Sequence, residues 1–593
     1  MVHLAAIDWI IIISYFAISL IVGLIFSRRA GKNVEEFFVS GRSLPWWIAG
    51  TSMVATTFAA DTPLAVTGLV VKKGLAGNWL WWAFAVGGML TVFLYARLWR
   101  RAGVLTDVEL IELRYGGKLA AFLRGFRAVY LAIPINALVI AWVNYAMLRV
   151  LKITVVGEGV SDWVLLAVML SITGLYTMLS GMWGVAITDV IQFVLAMGGC
   201  IILAVLAVKD VGGAASLRQQ VATLYQGGDA AFRFIPDFSS QQWLSPTLFL
   251  SYILVMWWAS WYPGAEPGGG GYIVQRMASC KDERHSLLAT LWFTIAHYCL
   301  RPWPWIIVGF VALVKYPDLR TAQDAGEGFP RVMKDILPVG LRGLLLTAFF
   351  AAYMSTLSTQ INWGASYLVN DVYKRFIRRE ETDRHYAWVS RIASVIILLC
   401  GAIATTFVTS VEQAWKLLLA LGGGTGALFM LRWYWWRINA AAEIAAMVAA
   451  LLFFIVVQAL PKSGALSFLA VGEYQTCVIA FLTIIVWLVA MYATPAESTA
   501  VLEKFYRKVR PASFGWKPIK QIARDVEPDD STFVPSLVAA ACGIVLIYTI
   551  LPATGAFIFG EYVKAVLLLL VAGGAAALLI ALLSRIGWER FTR

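Results

Sequence analysis

Residues 44–71 read LPWWIAGTSMVATTFAADTPLAVTGLVV. The stretch is long enough to cross a bilayer, which takes about 20 apolar residues. Its middle is wrong for a plain span. Thr56, Thr57, Asp61, Thr62 and Pro63 fall where hydrocarbon should be. A carboxylate at that depth is costly unless it faces a cavity or meets a partner. Pro63 removes a backbone donor and disfavours helical geometry at Thr62. These residues predict two half-helices meeting at about Phe58–Pro63, with carbonyls released at the junction. Released carbonyls inside a membrane protein are tolerated where they line a cavity or bind something. Secondary transporters use such breaks for coupling ions and solutes.

The rest of the chain supports a membrane setting. Of 593 residues, 60% are hydrophobic and 14% charged, and mean hydropathy is +0.74. Soluble domains carry about 25% charged residues, so this is a polytopic all-α membrane protein. Tryptophans cluster at Trp46-Trp47, Trp79–Trp82 and Trp433–Trp436, as interfacial belts do. The net charge of +13 would suggest nucleic acid in a soluble protein. Here most basic residues gather in alternate loops, at Arg28-Arg29, Arg97–Arg101, Arg276–Arg284, Lys374–Arg379 and Lys504–Arg510. That is the positive-inside pattern. It argues against a nucleic-acid role and predicts an external N-terminus, a cytoplasmic C-terminus and a plasma-membrane location (the inner membrane in a bacterium). The six cysteines are scattered, without CxxC or metal spacing. MVHLAAIDWIIIISYF lacks a basic lead and a small-residue cleavage site, so it reads as a retained span.

Hydropathy gives about 15 spans, among them separate ones at about 160–181 and 184–208. A second break is expected in LSYILVMWWASWYPGAEPGGGGYIVQR, where Pro263, Pro267 and glycines 268–271 cannot continue a regular helix and Glu266 sits inside the interruption. The two broken spans are five apart and so cross in opposite directions, the arithmetic of an inverted repeat of five plus five helices. The divisions that follow are 1–43 (an extra N-terminal helix and loop), 44–208 (first repeat), 209–243 (an outer loop) and 244–437 (second repeat). Beyond these come 438–493 (two peripheral spans), 494–532 (a cytoplasmic linker) and 533–593 (a closing pair of spans). Gly422–Gly426 adds a flexible run late in the second repeat. In AAYMSTLSTQ, Ala352, Ser355, Thr356 and Thr359 share one helix face. Ser355 and Thr356 offer the hydroxyl oxygens that a hard ion such as Na+ prefers. Asp189, at the start of its span, is a further intramembrane carboxylate.

At these residues the chain resembles the sodium:solute symporter family. GRSLPWW is similar to the family's approach to its first core helix, and LSGMWGVA with TDVIQ to its fifth-helix signature. YIVQRMASCKDERHS resembles the turn after its sixth helix, and AAYMSTLSTQ its eighth-helix sodium motif. The resemblance covers about residues 5–493 and implies a LeuT-type fold working by alternating access. It also implies a sodium site formed by carbonyls of Ala55, Phe58 and Ala352 with hydroxyls of Ser355 and Thr356. Some family members that couple two ions carry the hydroxyl combination seen here, and with Asp189 at the start of the neighbouring span this marks a candidate second sodium site of Asp189, Ser355, Ser358 and Thr359. The solute region departs from the family's sugar transporters: Asp61-Thr62 stands where they have Glu-Gln, Asn78 replaces an acidic residue, and PGAEPGGGG replaces a stretch with Asn and Tyr.

The expected function is Na+-coupled uptake of a small polar solute. Asp61, Thr62, Asn78, Glu266 and Gly268 are expected at its pocket. Two carboxylates in one cavity favour a solute that donates hydrogen bonds, such as a sugar, polyol or nucleoside, or one bearing an amine. The compensator expected for the two carboxylates is Na+, a basic side chain such as Arg301 or Lys416, or the solute itself; a simple monocarboxylate fits less well, because it would need a cation near the site. A membrane sensor using a symporter-like domain is the alternative, weakened by a tail without kinase motifs. Single acidic positions on different helices do not make a channel filter, and no nucleophile–base pair suggests an enzyme.

Overall fold

Around residue 60 the chain is bent. The computed structural model describes residues 4–30, 38–239, 243–259 and 268–585. Helix α1 (Ala6–Ala30) is followed by α2 (Trp46–Thr57) and α3 (Asp61–Lys73), which meet at 56°. The break lies at Phe58–Ala60, shorter than the Phe58–Pro63 junction expected, with Phe58 leaving the helix at φ −93°, ψ 71°. Asp61, Thr62 and Pro63 instead form the first turn of α3. The physical reason is that first-turn N–H groups have no helical acceptor, so proline costs little there, and a carboxylate complements the positive helix end.

The helices that follow include α4 (Leu75–Ala102), α5 (Gly117–Val156), α6 (Asp162–Asp210), α7 (Pro246–Ala259), α8 (Gly271–Ser279), α9 (Glu283–Lys315) and α10 (Leu341–Ile377). Then come α11 (Asp383–Thr405), α12 (Val411–Leu421), α13 (Thr425–Leu431), α14 (Ala440–Ala459), α15 (Gly472–Ala493), α16 (Thr499–Val509), α17 (Asp530–Ile558) and α18 (Tyr562–Arg585). Among the described residues 10 helices are long and apolar enough to cross a membrane, or 12 counting the bent pairs α2–α3 and α12–α13 as one span each. The α12–α13 bend of 58° falls on the expected glycine run. Shorter apolar helices at Ala6–Val22, Asp162–Leu175 and Pro246–Ala259 occupy three further expected segments. The separate spans expected at 160–181 and 184–208 run together as one 49-residue helix, α6. No proline interrupts LYTMLSGMWGV, so nothing local forces a stop. The expected break with Pro263, Glu266 and Pro267 falls between α7 and α8, outside the described residues. Where description resumes, Gly268 and Gly269 have φ of 81° and 84°, which glycine adopts without strain.

Small residues let the helices approach closely, as membrane packing favours. A Cβ on Gly68 of α3 would lie 3.1 Å from the backbone N of Gly326, and one on Gly309 of α9 would lie 2.8 Å from Cβ of Val70. Before α2, Leu44 pairs in parallel with the segment after α8: Leu44 N–H donates to Ser279 O at 2.9 Å and Lys281 N–H to Leu44 O at 3.2 Å. The two stretches thus tied are GRSLPWW and YIVQRMASCKDERHS.

The tail packs against the core. Trp303 on α9 donates its indole N–H to Leu551 O at 3.0 Å, and Tyr548 on α17 donates to Trp82 O at 2.9 Å. Arg97, buried at the end of α4, bonds Thr532 and Ser536 and lies 3.4 Å from Asp529. In the linker, Trp516 donates to Trp433 O at 2.8 Å and its ring covers the guanidinium of Arg114, 4.8 Å from the ring centroid. Arg114 in turn donates to the carbonyls of Arg432, Trp435 and Trp436.

Candidate functional site

The break in α2–α3 faces the hydroxyl stripe of α10. Thr356 Oγ1 lies 2.8 Å from Thr56 O and 3.1 Å from Ala352 O, a donor for either. At the end of α2 the carbonyls run out of regular helical partners. Phe58 N–H reaches back to both Val54 O (2.9 Å) and Ala55 O (3.1 Å). Thr356 thus joins α10 to the end of α2, while Ser355 donates to Asp189. The oxygens met at the junction, Thr56 O, Ala352 O and Thr356 Oγ1, make an all-oxygen donor set. That chemistry fits a small hard cation.

Next to this junction, Asp189 of α6 is fully buried. It accepts from Ser355 Oγ at 2.6 Å and from Ser52 Oγ at 2.5 Å. Arg276 of α8, also fully buried, stands 3.7 Å from Asp189 Oδ2. Arg276 donates to Ser52 Oγ at 3.1 Å and to Thr359 Oγ1 at 2.6 Å, and Thr359 is 3.0 Å from Thr56 Oγ1. Ser358 turns back to its own helix, donating to Ser355 O at 3.0 Å. One acid–base pair and four hydroxyls so connect α2, α6, α8 and α10. Sequence reasoning missed Arg276 because it counted the residue with the basic loop that follows. The available signal was its position within the apolar run YIVQRMAS.

A cavity opens on the other side of the break. Thr57 and Thr62 come from the broken helix, Trp81 and Phe84 from α4, Trp142 from α5, and Trp415 from α12. Helix α9 contributes His297, Tyr298 and Arg301. A wide π-turn at Ala296–Leu300 precedes Pro302 and sets these three side chains. Such turns recur at functional positions. Arg301 Nη1 donates to Thr57 Oγ1 at 2.9 Å and to Val54 O at 3.3 Å, and its Nη2 is 3.1 Å from His297 Nε2. Arginine can only donate. His297 Nε2 is therefore the acceptor, and this bonding pattern assigns the ring proton to Nδ1, 3.1 Å from Thr57 Oγ1.

The five residues expected at the solute pocket are distributed unevenly. Thr62 lines the cavity. Asp61 lies just behind the wall, its Oδ2 accepting the Trp415 indole N–H at 3.1 Å. Asn78 is a layer further out, buried, donating to Leu75 O and accepting from Trp81 Nε1 at 3.0 Å. Gly268 packs towards Tyr95, and its carbonyl accepts from Trp99 Nε1 at 2.7 Å. Gly269 and Gly270 line a smaller cavity beyond Phe84 and Tyr298. Glu266 lies outside the described residues. Of the two basic candidates, Arg301 lines the cavity. Lys416, the residue after Trp415, instead joins a charged cluster, 2.9 Å from Glu412 and 3.2 Å from Glu473, with Lys73 also 3.2 Å from Glu473.

Comparison with known proteins follows this geometry. The model of the "Sodium:solute symporter family" matches residues 37–452. The "Sodium/glucose cotransporter" of Vibrio parahaemolyticus is 26% identical over 490 residues, 78% of this chain and 86% of that protein. "Sodium/glucose cotransporter 1" of Oryctolagus cuniculus is 24% identical over 493 residues, 75% of this chain and 71% of that protein. A solved structure of a Na+-coupled sialic acid symporter, substrate-bound and outward-open, superposes with a TM-score of 0.66 at 20% identity, covering 83% of this chain and 99% of that one. That likeness shows the LeuT-type fold. The family model spans most of the sequence, and the relatives are transporters, not enzymes: this chain belongs to the sodium:solute symporter family.

Proposed function

We propose that this protein takes up a small polar organic solute together with Na+ by alternating access across the plasma membrane. One observation carries the reading: the Ser355–Thr356 hydroxyl face of α10 meets the break in α2–α3, with Thr356 Oγ1 2.8 Å from Thr56 O. Na+ would be held by oxygens of Ala55, Phe58, Ala352, Ser355 and Thr356. The names of the matched cotransporters, which pair sodium with a solute, support the same reading. The N-terminus is placed outside and the C-terminus in the cytoplasm, with five-helix repeats at 44–208 and 244–437. The solute classes favoured by the sequence are sugars, polyols, nucleosides and amine-bearing solutes.

The proposed coupling is one Na+ per solute. Asp189, Ser355, Ser358 and Thr359 form the candidate second site, and Arg276 already brings a positive charge to 3.7 Å from Asp189. A charge-to-solute flux ratio in proteoliposomes measures the number directly, and a second Na+ per turnover would reject the single-ion reading.

Ser355→Ala combined with Thr356→Ala removes two ligand oxygens. The Na+ concentration for half-maximal uptake should rise at least about tenfold, on the order of 1.4 kcal/mol. Unchanged Na+ dependence at equal expression would sink the site.

A further inference from the structure

We infer that a groove between α1, α6 and α10 binds a neutral straight-chain alcohol drawn from the bilayer, with Gln192 Oε1 accepting its hydroxyl hydrogen. The groove shares no described lining residue with the cavity of Trp415 and Arg301.

Its walls are fixed. Asp8 on α1 is fully buried and accepts from the backbone N–H groups of Gly340 at 2.8 Å and Gly343 at 2.7 Å, at the head of α10. Two turns along α1, the Tyr15 hydroxyl accepts from Gln192 Nε2 of α6 at 2.8 Å and lies 3.9 Å from Met354 Sδ of α10. These ties hold α1 against both neighbours. A groove of about 300 Å³ runs beside them. Its α1 side extends from Ile10 to Ile18, about 12 Å at 1.5 Å per residue. Ile10, Ile18 and Ile191 on its rim are 62%, 53% and 41% exposed. In a membrane it therefore opens sideways to lipid, and its length suits an alkyl chain.

The polar atoms in the groove decide what that chain must carry. Gln192 lines it, is 2% exposed, and its Oε1 has no hydrogen-bond partner. A buried acceptor left unmatched costs about 1–3 kcal/mol. The Tyr15 hydroxyl points its own hydrogen at the Met354 sulfur, so Tyr15 takes a donor from Gln192, and the other amide atom is the oxygen. Thr347, also on the wall, gives its hydrogen to Gly343 O at 2.8 Å and keeps lone pairs to accept with. The groove thus asks for a donor. Among the described residues lining it none is charged, so an ammonium would enter without a countercharge, at a heavy desolvation cost. A hydroxyl donates and stays neutral.

The test uses the purified full chain in lipid nanodiscs and a matched photoreactive pair: a diazirine-bearing 1-decanol, and its methyl ether, which keeps the chain and loses the donor. The alcohol should label the segments 10–19 and 188–195 at least about tenfold more than the ether, a difference on the order of 1.4 kcal/mol. Unlabelled 1-decanol should displace it. Gln192→Leu should erase the preference for the alcohol. Should that variant fail to fold, Ser14→Leu fills the groove from the exposed face of α1 and should bring labelling to background. Equal labelling by alcohol and ether overturns the inference and leaves an acyl-chain groove. Absence of label from both segments overturns it too, with water on Gln192 as the occupant. Displacement by cholesterol and not by 1-decanol rejects the straight-chain assignment.

Discussion

Two buried arginines flank the break in the first broken helix, and they are treated differently. Arg276 stands 3.7 Å from Asp189 inside a ring of hydroxyls. Arg301 donates to the carbonyls of Val54 and His297 and to the Thr57 hydroxyl, lies beside His297 Nε2, and lines a cavity. The first arrangement is closed: charge, countercharge and hydrogen bonds meet within the helix contacts. The second borders a cavity beside the broken helix. The two buried guanidiniums are thus set differently, one against a carboxylate and one against a cavity.

The largest expected effect tests the closed pair. Asp189→Asn leaves Arg276 buried beside a neutral amide. Breaking one side of a buried pair costs about 3–5 kcal/mol, to be read as a lower unfolding midpoint in detergent. Adding Arg276→Gln should return much of the loss. If the single variant is as stable as the parent, or the double variant is worse than the single, the pair does not hold these helices together. Smaller is the effect expected at the Lys416 cluster, where Lys416 itself is partly exposed and Glu473 is buried. Lys416→Met should cost under about 1 kcal/mol, because Glu473 keeps Lys73 and the Tyr252 hydroxyl at 2.9 Å. A larger drop in the unfolding midpoint would make Lys416 a partner of the same rank as Arg276. Smallest is the effect at the cavity's back wall. Asp61→Asn keeps an acceptor for Trp415, so solute affinity should change by less than about 0.5 kcal/mol. A tenfold loss of affinity would put Asp61 in contact with the solute.

Much of this arrangement was legible along the chain because it depends on local chemistry. Threonines, an aspartate and a proline at mid-span announce a broken helix, and the i, i+3, i+4, i+7 spacing puts Ala352, Ser355, Thr356 and Thr359 on one face. The break was read three residues too long because proline was weighed as a breaker, whereas in the first turn of α3 it is a tolerated starter. Charge partners were less legible, since they are set by contacts between distant segments. Arg276 and Arg97 read as loop cations in the positive-inside pattern, yet both are buried and paired across the fold, with Asp189 and Asp529. Asn78 and Gly268 were placed at the pocket by analogy of position. The structure puts each behind a tryptophan, Trp81 and Trp99, whose indole N–H it accepts.

The short backbone pairing of Leu44 with Ser279 and Lys281 has a kinematic consequence. Trp46 N–H adds a third tie, to His285 Nδ1 at 3.0 Å. Three linkages of this kind, each contributing about 1 kcal/mol, couple the leading end of α2 to the trailing end of α8 and the start of α9. A swing of α2 about the pivot at Phe58–Ala60 then drags α8 and α9 along, so these pieces move as a single lever with one hinge angle, rather than as three independent rods.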